Sequence, residues 1–525
     1  MNTILDVLEE TGKIFKDKTA VKDPERSLNW EEFLIMSETA GRRLASFNKG
    51  ETAYPIALLG DKSVSLLAAM TGVIYAGGFY IVINPEQPSN RISKILEVSK
   101  PEIVVCDKKY REKLDESGYK GKVLDLEILT ETGDSKEEDS SPSDPDFIPL
   151  SDQKTMALIR SGLDRESPLY GIFTSGSTGT PKCVLVSHGA VLDFISHFSK
   201  IFNFKDDDVI ACQAPFDFDV SIKDIFTAFF TGASLLLIPR EYFSTPKTLM
   251  DYLCDNGATS LTWAVSALCI ISGFNCFSYR IPDRLRRVMF SGEVMPIKQL
   301  NIWMDNIRSA RFVNLYGPSE ITCNCTYYEI ERRFENGEKL PLGKVFPGRE
   351  VLLLDKDGHE ISARNQIGEI AVSGESLAIG YYNNQAETEK HFINREGKRT
   401  YLTGDMAVRG DDGELYFAGR KDFQIKHMGH RIELEEIERS IDKIEGVERC
   451  LCCFDQKKNR IYAYYKGLID KKTLHAELKA DLPLYMVPNR FFHIKEFILN
   501  KNGKADRKRL SELEEVTEEP ASKAV

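Results

Sequence analysis

The sequence lacks a surplus of basic residues and lacks the features that mark secreted proteins. Its 69 lysines and arginines are outnumbered by 80 aspartates and glutamates, which gives a net charge of −11. A protein that coats nucleic acid needs a basic surface to neutralise phosphates, so this class is excluded. The N-terminal segment MNTILDVLEETGKIFKDK has no basic region followed by an apolar core, so we expect no signal peptide.

Long apolar runs are also scarce. One stretch, from Val64 to Ile83, is apolar enough to suggest a transmembrane helix. Gly77 and Gly78 divide it into a half rich in alanine and leucine and a half, FYIVI, rich in β-branched residues. We therefore predict a buried helix, a glycine turn and a buried strand, with no insertion into a membrane. The 11 cysteines show no zinc-binding spacing, which favours reduced, buried thiols in a cytoplasmic protein.

The order of the predicted elements indicates an α/β protein. The chain has 525 residues, of which 42% are hydrophobic, and is too long for one compact domain. Up to about residue 330, strand-like runs such as IALLG, EIVVCD and RVMFSG alternate with helix-like segments. This alternation predicts layered α/β sheets with mainly parallel strands. From about residue 340, short strands joined by Asp-Gly turns predict a β-rich subdomain.

A small α+β domain is predicted at the C-terminal end. After QIKHMGH, the residues Leu434, Ile437, Ile441 and Ile444 fall on one face of a helix, and strand-like runs follow. The acidic stretch between Thr130 and Asp152 predicts a surface loop. The predicted division is an N-terminal core over residues 1–420, a hinge at 421–422, a C-terminal domain over 423–510 and a tail over 511–525.

The segment FTSGSTGTPK, which ends at Lys182, is the strongest local signal. A strand-like run enters it, and its many threonines, serines and glycines let N–H groups and hydroxyls converge on phosphate oxygens. Lys182 adds a mobile cation. Pro181 and Cys183 stand where a Walker loop needs glycine and serine or threonine, which disfavours P-loop phosphotransfer. A flexible serine–glycine loop without a ligand remains the alternative.

A second signal is NLYGPSE, which forms a rigid turn after a strand-like run. Tyr316 suits a stack on a base, Ser319 suits a bond to a phosphate, and Glu320 suits a hard cation such as Mg²⁺. A plain strand-ending turn is the alternative.

Two further segments carry charges that suit a nucleotide. In YLTGD, Asp405 follows a strand and precedes a hairpin that ends at Arg420. These two residues suit ribose hydroxyls, but they suit a salt bridge within the hairpin equally well. The basic segment NKNGKADRKRL contains Lys504, for which a solvated surface charge is the alternative to a role in catalysis.

Taken in order, TSGSTGTPK, NLYGPSE, YLTGD, GRKDFQIKHMGHRIELEEIE and NKNGKADRKRL resemble the adenylate-forming superfamily of acyl-CoA synthetases, luciferases and amino-acid adenylation domains. The resemblance extends from residue 1 to Leu510. It implies a large N-terminal and a small C-terminal domain joined at a hinge, Asp422, and it implies ATP and Mg²⁺ as cofactors. Rotation about this hinge is expected to bring the loop around Gly429, the thiolation loop, to the site.

The resemblance also assigns roles to residues of this sequence. The residues that it assigns to ATP are Thr174, Ser175, Gly176, Ser177, Thr178, Lys182, Asn314, Leu315, Tyr316, Gly317, Pro318, Ser319, Asp405, Phe417, Gly419, Arg420 and Lys504. The implied catalytic residues are Lys504, Thr178 and Glu320, of which Glu320 binds the metal. They would stabilise charge where a carboxylate meets the α-phosphate and pyrophosphate leaves.

The segment FDFDVSIKDIF narrows the substrate. Its Asp219 matches the aspartate that pairs with the substrate's α-ammonium group in amino-acid adenylation domains, although a helix N-cap is the alternative. The residues that the resemblance assigns to the amino acid are Asp219, Val220, Lys223, Thr262, Met289, Ser291, Leu315, Cys323, Asn324 and Lys504.

The surroundings of this pocket resemble those of D-alanine:carrier-protein ligases. Ser291 and Leu315 depart from that pattern, which has cysteine and threonine there. Lys223 suits an acidic or polar substrate side chain, or its ammonium group reaches solvent along an apolar stem. The expected substrate is a small or polar amino acid.

The tail contains no carrier-domain serine motif, so the expected acceptor is the phosphopantetheine thiol of a separate carrier protein. An acyl-CoA or aryl-acid ligase is one alternative, against which Asp219 argues. A nucleotide-binding regulator without catalysis is another, against which the joint presence of Lys504 and Glu320 argues.

Overall fold

The structure is a computed structural model. It describes residues 2–48, 52–132, 148–176, 180–335, 337–456, 458–497 and 507–511. Several sequence predictions fall outside these ranges: most of the acidic stretch after Thr130, two residues of the phosphate-binding loop, Ser177 and Thr178, and the segment with Lys504.

Helices and strands alternate along most of the described chain. The α-helices are α1 (Ile4–Ile14), α2 (Trp30–Ala45), α3 (Val64–Tyr75), α4 (Ser89–Ser99), α5 (Arg111–Glu116), α6 (Leu126–Thr130), α7 (Gln153–Ser161), α8 (His188–Ile201), α9 (Val220–Thr231), α10 (Pro246–Asp255), α11 (Val265–Gly273), α12 (Ile297–Asn306), α13 (Gln385–His391), α14 (Leu434–Asp442), α15 (Lys471–Asp481) and α16 (Arg507–Ser511). The strands are β1 (Thr19–Lys22), β2 (Ser27–Asn29), β3 (Pro55–Leu59), β4 (Phe79–Ile83), β5 (Ile103–Cys106), β6 (Lys122–Asp125), β7 (Pro168–Thr174), β8 (Lys182–Ser187), β9 (Val209–Cys212), β10 (Ser234–Leu237), β11 (Ser260–Ala264), β12 (Arg287–Ser291), β13 (Arg311–Tyr316), β14 (Thr326–Glu329), β15 (Lys344–Val345), β16 (Arg349–Leu354), β17 (Ile367–Gly374), β18 (Gly380–Tyr381), β19 (Phe392–Arg395), β20 (Lys398–Arg409), β21 (Leu415–Arg420), β22 (Gln424–His427), β23 (His430–Glu433), β24 (Val447–Asp455), β25 (Arg460–Gly467) and β26 (Arg490–His493).

Two large sheets with parallel centres form the N-terminal part of the described chain. One has the strand order β15-β14-β13-β12-β11-β9-β10-β1-β2, and the other has the order β18-β8-β7-β4-β3-β5-β6. Neighbouring central strands such as β11, β12 and β13 run parallel, whereas β14 and β8 pair antiparallel with their neighbours. Strands covered on both faces need apolar runs throughout, which is why the sequence shows such runs. The predicted α/β layers are confirmed.

The apolar stretch from Val64 to Ile83 forms a helix, a turn and a strand. The helix α3 begins after Ser63, whose hydroxyl accepts a hydrogen bond from the N–H of Leu66. Gly77, with φ +82°, takes the left-handed conformation that follows the helix end, and β4 then pairs in parallel with β3. The prediction of two short buried elements is confirmed. Across the described ranges, no helix has the length and apolarity needed to span a membrane.

Antiparallel strands form the predicted β-rich subdomain. The strands β16, β17, β20 and β19 lie side by side, and β21 pairs with β20. The Asp-Gly turns place Gly358 and Gly413 at φ +85°, a conformation that glycine adopts without strain. Asp405, predicted to follow a strand, lies instead within β20, where it stands opposite Arg420 of β21. The hairpin itself therefore brings two predicted site residues together.

The C-terminal part is small and has an α+β fold. A β22–β23 hairpin precedes α14, and β24, β25 and β26 form a separate sheet. The core of this part includes the predicted apolar face of α14, with Leu434, Ile437 and Ile441 buried, together with Ile444 just after the helix. The helix prediction is confirmed, whereas the boundary at 421–422 stays a prediction.

The cysteines support the predicted reduced state. All 11 are unpaired, and those that are buried include Cys183 and Cys212. Burial raises the pKa of both thiols. A protonated, buried thiol reacts poorly, so these cysteines act as small apolar side chains.

Candidate active site

A cleft opens where the carboxyl ends of the central strands face the β22–β23 hairpin. Its walls come from the ends of β4, β7, β12 and β13, from the start of α9 and from the hairpin. Ligands of open α/β sheets bind outside the carboxyl ends of their strands. Residues of the sequence motifs therefore border the cleft, at the place where proteins of this fold class bind their ligands.

The predicted phosphate-binding loop joins two antiparallel strands. Thr174, at the end of β7, lies opposite Lys182, at the start of β8. Thr174 and Ser175 border the cleft. Gly176 lies so close to the carbonyl oxygen of Thr180 that a Cβ atom would collide with it. A residue larger than glycine would therefore not fit at position 176 without a shift of the backbone.

Lys182 is fixed in place, in contrast to the mobile cation that the sequence predicts. Its side chain is almost buried and forms an ion pair with Glu387, and Nζ lies 5.5 Å from the centre of the Tyr381 ring. The ion pair and the ring both hold the ammonium group. Glu387 lies 205 residues further along the chain, so no local pattern reveals this contact.

Three residues predicted to bind the nucleotide form one hydrogen-bonded chain. The hydroxyl of Tyr316 donates to Oδ2 of Asp405 at 2.7 Å, and Nη1 of Arg420 donates to Oδ1 at 2.6 Å. Gly419, with φ +112°, turns the backbone before Arg420, which also donates twice to Asp422, at 2.7 Å each. The alternative of a salt bridge within the hairpin is confirmed. Asp405 and Arg420 also border the cleft, and their role toward a ribose stays a prediction.

Some of the residues assigned to ATP border the cleft, and others are packed in the protein beside it. The residues of this set that border the cleft are Thr174, Ser175, Gly317, Pro318, Ser319, Asp405 and Arg420. Asn314 donates to a backbone carbonyl at 2.9 Å, and Leu315 is buried in β13. A Cβ atom on Gly317 would collide with the backbone of Asn324, and Phe417 packs against the main core.

Glu320, the predicted magnesium ligand, is held by an arginine from the C-terminal part. Its side chain is 1% exposed, and each carboxylate oxygen accepts from Nη1 of Arg431 at 2.9 Å. The hydroxyl of Tyr381 also donates to it at 2.7 Å. Burial alone would raise the pKa of Glu320, but Arg431 and the tyrosines lower it to about 2. The carboxylate is therefore ionised, as a metal ligand must be.

No cluster of three or more acidic, histidine or cysteine side chains within the described ranges is placed to hold a metal ion. Glu320 is therefore a single carboxylate whose partners are the guanidinium group of Arg431 and the hydroxyl of Tyr381. A metal at this position would need further oxygen ligands from a bound nucleotide.

The low pKa of Glu320 predicts how stability depends on pH. Because its folded-state pKa of about 2 lies below the ordinary value of 4.5, the contribution of this carboxylate is complete above about pH 4.5. It is lost as the pH falls toward 2. The difference in melting temperature between the wild type and Glu320→Gln is expected to be constant from about pH 8 to about pH 5, and to shrink below that. A difference that shrinks between about pH 7 and pH 6 would contradict the assigned ion pair.

Asp219 lies at the start of α9, but its side chain makes no capping hydrogen bond to the helix. Instead, Oδ2 accepts from the hydroxyl of Ser319 at 2.6 Å, and its backbone carbonyl accepts from the thiol of Cys323 at 3.1 Å. The alternative that Asp219 is only a helix cap is therefore wrong. Ser319, predicted to bind a phosphate, orients this carboxylate at the edge of the cleft.

Lys223 follows Asp219 by one helical turn and is 1% exposed. Its ammonium group donates to Oγ of Ser291 and to Oδ1 of Asn324, both at 3.0 Å. Burial lowers the pKa of Lys223. The alternative in which this ammonium reaches solvent along an apolar stem is wrong, because the side chain is buried and Ser291 and Asn324 hold its ammonium group.

Of the residues predicted to form the amino-acid pocket, some border the cleft and others are buried in the protein. The predicted residues that border the cleft are Asp219, Val220, Lys223, Ser291 and Cys323. The predicted residues that are buried behind it are Thr262, Met289, Leu315 and Asn324. Thr262 and Met289 lie opposite each other on β11 and β12, so the sheet itself closes the base of the pocket.

The β22–β23 hairpin enters the cleft at Gly429. This residue has φ +82°, and its N–H donates to the carboxylate of Glu293. The ring of His430 stacks on Tyr485 with centres 3.5 Å apart and meets the edge of Phe218 at 5.0 Å. Burial lowers the pKa of His430 to about 3, so the imidazole is neutral and packs as a flat aromatic ring.

A model of the AMP-binding enzyme family matches residues 8–382 of the chain. The chain belongs to this family. The D-alanine–D-alanyl carrier protein ligase of Bacillus licheniformis is 29% identical over 525 residues, covering 97% of this chain and 99% of the ligase. Surfactin synthase subunit 1 of Bacillus subtilis is 30% identical over 518 residues. This AMP-binding enzyme spans 14% of the length of that synthase.

Solved structures match the fold of this AMP-binding enzyme. The Vibrio cholerae adenylation domain AlmE, in complex with glycyl-adenosine-5′-phosphate, matches with a TM-score of 0.82 over 97% of each chain, at 20% identity. This likeness confirms the predicted fold, a large N-terminal and a small C-terminal domain. The family match confirms the predicted superfamily and the predicted enzyme class, an AMP-forming ligase that uses ATP.

The cleft of this AMP-binding enzyme also contains residues that the motifs do not predict. Asp217, Lys426, Arg431 and Tyr485 all border it. Arg431 lies within the segment GHRIE, two residues after a glycine turn, and this pattern could have indicated that it belongs to the site. Lys426 lies within β22, with Nζ 5.8 Å from the centre of the Tyr316 ring, and nothing in its neighbourhood of the sequence indicates this position.

Proposed function

We propose that this AMP-binding enzyme activates a small or polar amino acid as its aminoacyl adenylate. It then transfers the aminoacyl group to the phosphopantetheine thiol of a separate carrier protein. The observation that carries the proposal is the carboxylate of Asp219, which borders the cleft and is oriented by Ser319 instead of capping a helix. Such a carboxylate is a strong partner for an α-ammonium group. The match to almost the whole length of a D-alanine–carrier ligase supports both the amino acid and the carrier.

In the first step, the substrate carboxylate attacks the α-phosphate of ATP, a P–O bond forms, and pyrophosphate leaves. The loop that starts at Thr174 is proposed to hold the departing phosphates with its N–H groups and hydroxyls. Lys504 is proposed to bridge the two reacting anions and so to stabilise charge where it develops. Asp405 and Arg420 form an ion pair at 2.6 Å at the border of the cleft, the position proposed for the ribose.

Glu320 fits a magnesium site once Arg431 withdraws. Mg²⁺ is usually held by one or two carboxylates together with substrate phosphates, and Glu320 is an ionised carboxylate that directly follows Ser319 of the cleft wall. Bound there, the metal would neutralise charge on the phosphates. Because Arg431 contacts both oxygens at 2.9 Å, its contact with Glu320 and metal binding are proposed to alternate.

The position of the β22–β23 hairpin at the cleft suits the second step, the transfer of the aminoacyl group to the carrier thiol. The Gly429 turn borders the cleft, and Arg431 neutralises Glu320. In this step the thiol sulfur attacks the adenylate carbonyl, a C–S bond forms, the C–O bond to phosphate breaks, and AMP leaves while the thiol proton passes to solvent. Rotation about Asp422 is proposed to exchange this arrangement for one that brings Lys504 to the cleft.

The proposal predicts that Asp219 is required for amino-acid use. In Asp219→Asn, the kcat/KM of amino-acid-dependent ATP–pyrophosphate exchange is expected to fall at least about 100-fold, because the substrate ammonium loses its charged partner. The measurement uses the best substrate from a panel of L- and D-amino acids. Asp283→Asn, at an exposed position, is the control and should keep the wild-type rate. Unchanged kinetics in Asp219→Asn would indicate a carboxylic acid without an amine, as for an acyl-CoA or aryl-acid ligase.

A further inference from the structure

The buried ammonium group of Lys223 makes its hydrogen bonds to neutral side chains. It donates to Ser291 and Asn324, both neutral, at 3.0 Å, and an ammonium group has three N–H donors. Within the part of the chain that the structure describes, Lys223 forms no ion pair with a carboxylate. Burying a cation is unfavourable unless an anion accompanies it. The side chain also borders the cleft, so a ligand can reach it.

The charges of Asp219 and Asp224 both act on Lys223, but within the described residues neither carboxylate forms an ion pair with it. Asp224 follows Lys223 directly in α9, and adjacent residues of a helix point in different directions. Asp224 interacts with the ammonium groups of both Lys223 and Lys62, and burial raises the pKa of Asp224 to about 7, so its partial negative charge near neutral pH is shared between two lysines. Asp219 is the proposed partner of the substrate's own α-ammonium group. One N–H of Lys223 is therefore available to a ligand in the cleft.

The positions of Asp219 and Lys223 define what such a ligand must carry. They are four residues apart, so their Cβ atoms lie about 5–6 Å apart on one face of the helix. An α-amino acid bound by its ammonium group to Asp219 therefore directs its side chain along this face toward Lys223. Only a short side chain that ends in a hydrogen-bond acceptor fits between the two charges.

We infer that the amino acid activated here carries a carboxylate in its side chain, which Lys223 binds while Asp219 binds the α-ammonium group. This inference rests on the proposed function, because it names the substrate class of the same site. Ser291 and Asn324 hold the ammonium group in position for that carboxylate. A dicarboxylic amino acid such as aspartate or glutamate is favoured over alanine, because a site with buried polar groups rejects substrates that leave those groups unpaired.

The test compares acids with their neutral amides in ATP–pyrophosphate exchange by the full-length protein. Aspartate or glutamate, in the L or D form, is expected to give a kcat/KM at least about 100-fold above that of the matching amide and of alanine. In Lys223→Met, exchange with the acid should fall at least about 100-fold, and the preference over the amide should disappear. Lys298→Met, at an exposed position of α12, is the matched control and should keep the preference.

A second measurement does not depend on turnover. The sulfamoyl-adenosine analogues of aspartyl and asparaginyl adenylate, or of the glutamyl and glutaminyl pair, are added during thermal melting. The acid analogue should raise the Tm of the wild type more than the amide analogue does, and Lys223→Met should lose this difference while still melting cooperatively.

The outcomes separate this inference from the proposed function. Exchange that is faster with alanine or another neutral amino acid than with both acids would overturn the inference, and the proposed function would stand. Adenylation of a carboxylic acid without an amine, with no exchange for any amino acid, would overturn both.

Discussion

Lys504→Ala is expected to lower amino-acid-dependent ATP–pyrophosphate exchange by about 100- to 1,000-fold, the effect of removing one well-placed group that stabilises developing charge. The attacking carboxylate and the α-phosphate are both anions, and the proposed mechanism relies on this lysine to bring them together. Exchange is measured with saturating ATP and the preferred amino acid. Lys501→Ala, three residues earlier in the same basic segment, is the control and should keep the wild-type rate.

The same variant should keep the second step. When a preformed aminoacyl adenylate is supplied, Lys504→Ala is expected to transfer the aminoacyl group to a carrier protein at close to the wild-type rate, because the proposed transfer step does not involve the lysine. This result would also show that the variant folds. If exchange survives the substitution, Lys504 has no part in adenylation and the proposed mechanism is wrong.

Arg431→Ala is expected to act in the opposite way, on transfer but not on adenylation. Removing one partner of a buried ion pair costs about 3–5 kcal/mol, and the partial exposure of Arg431 reduces that figure. Because the pair with Glu320 exists in the arrangement with Gly429 at the cleft, the loss should disfavour that arrangement. A fall of about 10- to 100-fold is expected in single-turnover transfer from bound adenylate to the carrier.

Exchange by Arg431→Ala should stay within about threefold of the wild-type rate, because Glu320 is then free for the metal. Arg460→Ala, at an exposed position of the same C-terminal part, provides the control for general effects on this domain. A parallel loss of exchange and transfer would mean that Arg431 supports folding or adenylation, and it would refute the proposed alternation at Glu320.

The sequence predicts the positions of TSGSTGTPK and NLYGPSE well, because these two motifs lie at the ends of β7 and β13. Short apolar runs identify those strands, and parallel strands gather their carboxyl ends at one edge. The stretch from Val64 to Ile83 was predictable as two elements for the same reason, since paired glycines interrupt its pattern. Asp405 and Arg420 meet because the hairpin register places them opposite each other, and local turn signals predict that hairpin.

The partners of individual charges could not be predicted, because they come from distant parts of the chain. Lys182 pairs with Glu387 over a separation of 205 residues, and Glu320 pairs with Arg431 over 111. Lys223 shows a second reason. The ammonium group of a lysine is usually solvated, so the residue type alone predicts an exposed side chain, whereas the structure buries it. Its burial depends on Ser291 and other groups contributed by neighbouring strands, and only the folded pocket brings them together.

The contact between the N-terminal and C-terminal parts includes a buried ion pair between Arg91 and Glu436, and a hydrogen bond from Gln87 to the hydroxyl of Tyr485 at 3.3 Å. When two surfaces separate, polar groups of this kind exchange their protein partners for water. Separating a polar interface is therefore far less unfavourable than separating an apolar interface of equal area. The proposed rotation about Asp422, which would open and close this interface once per product, would therefore avoid an over-stable closed state. Added salt, which screens the exposed charges of the open form, should shift the balance toward opening.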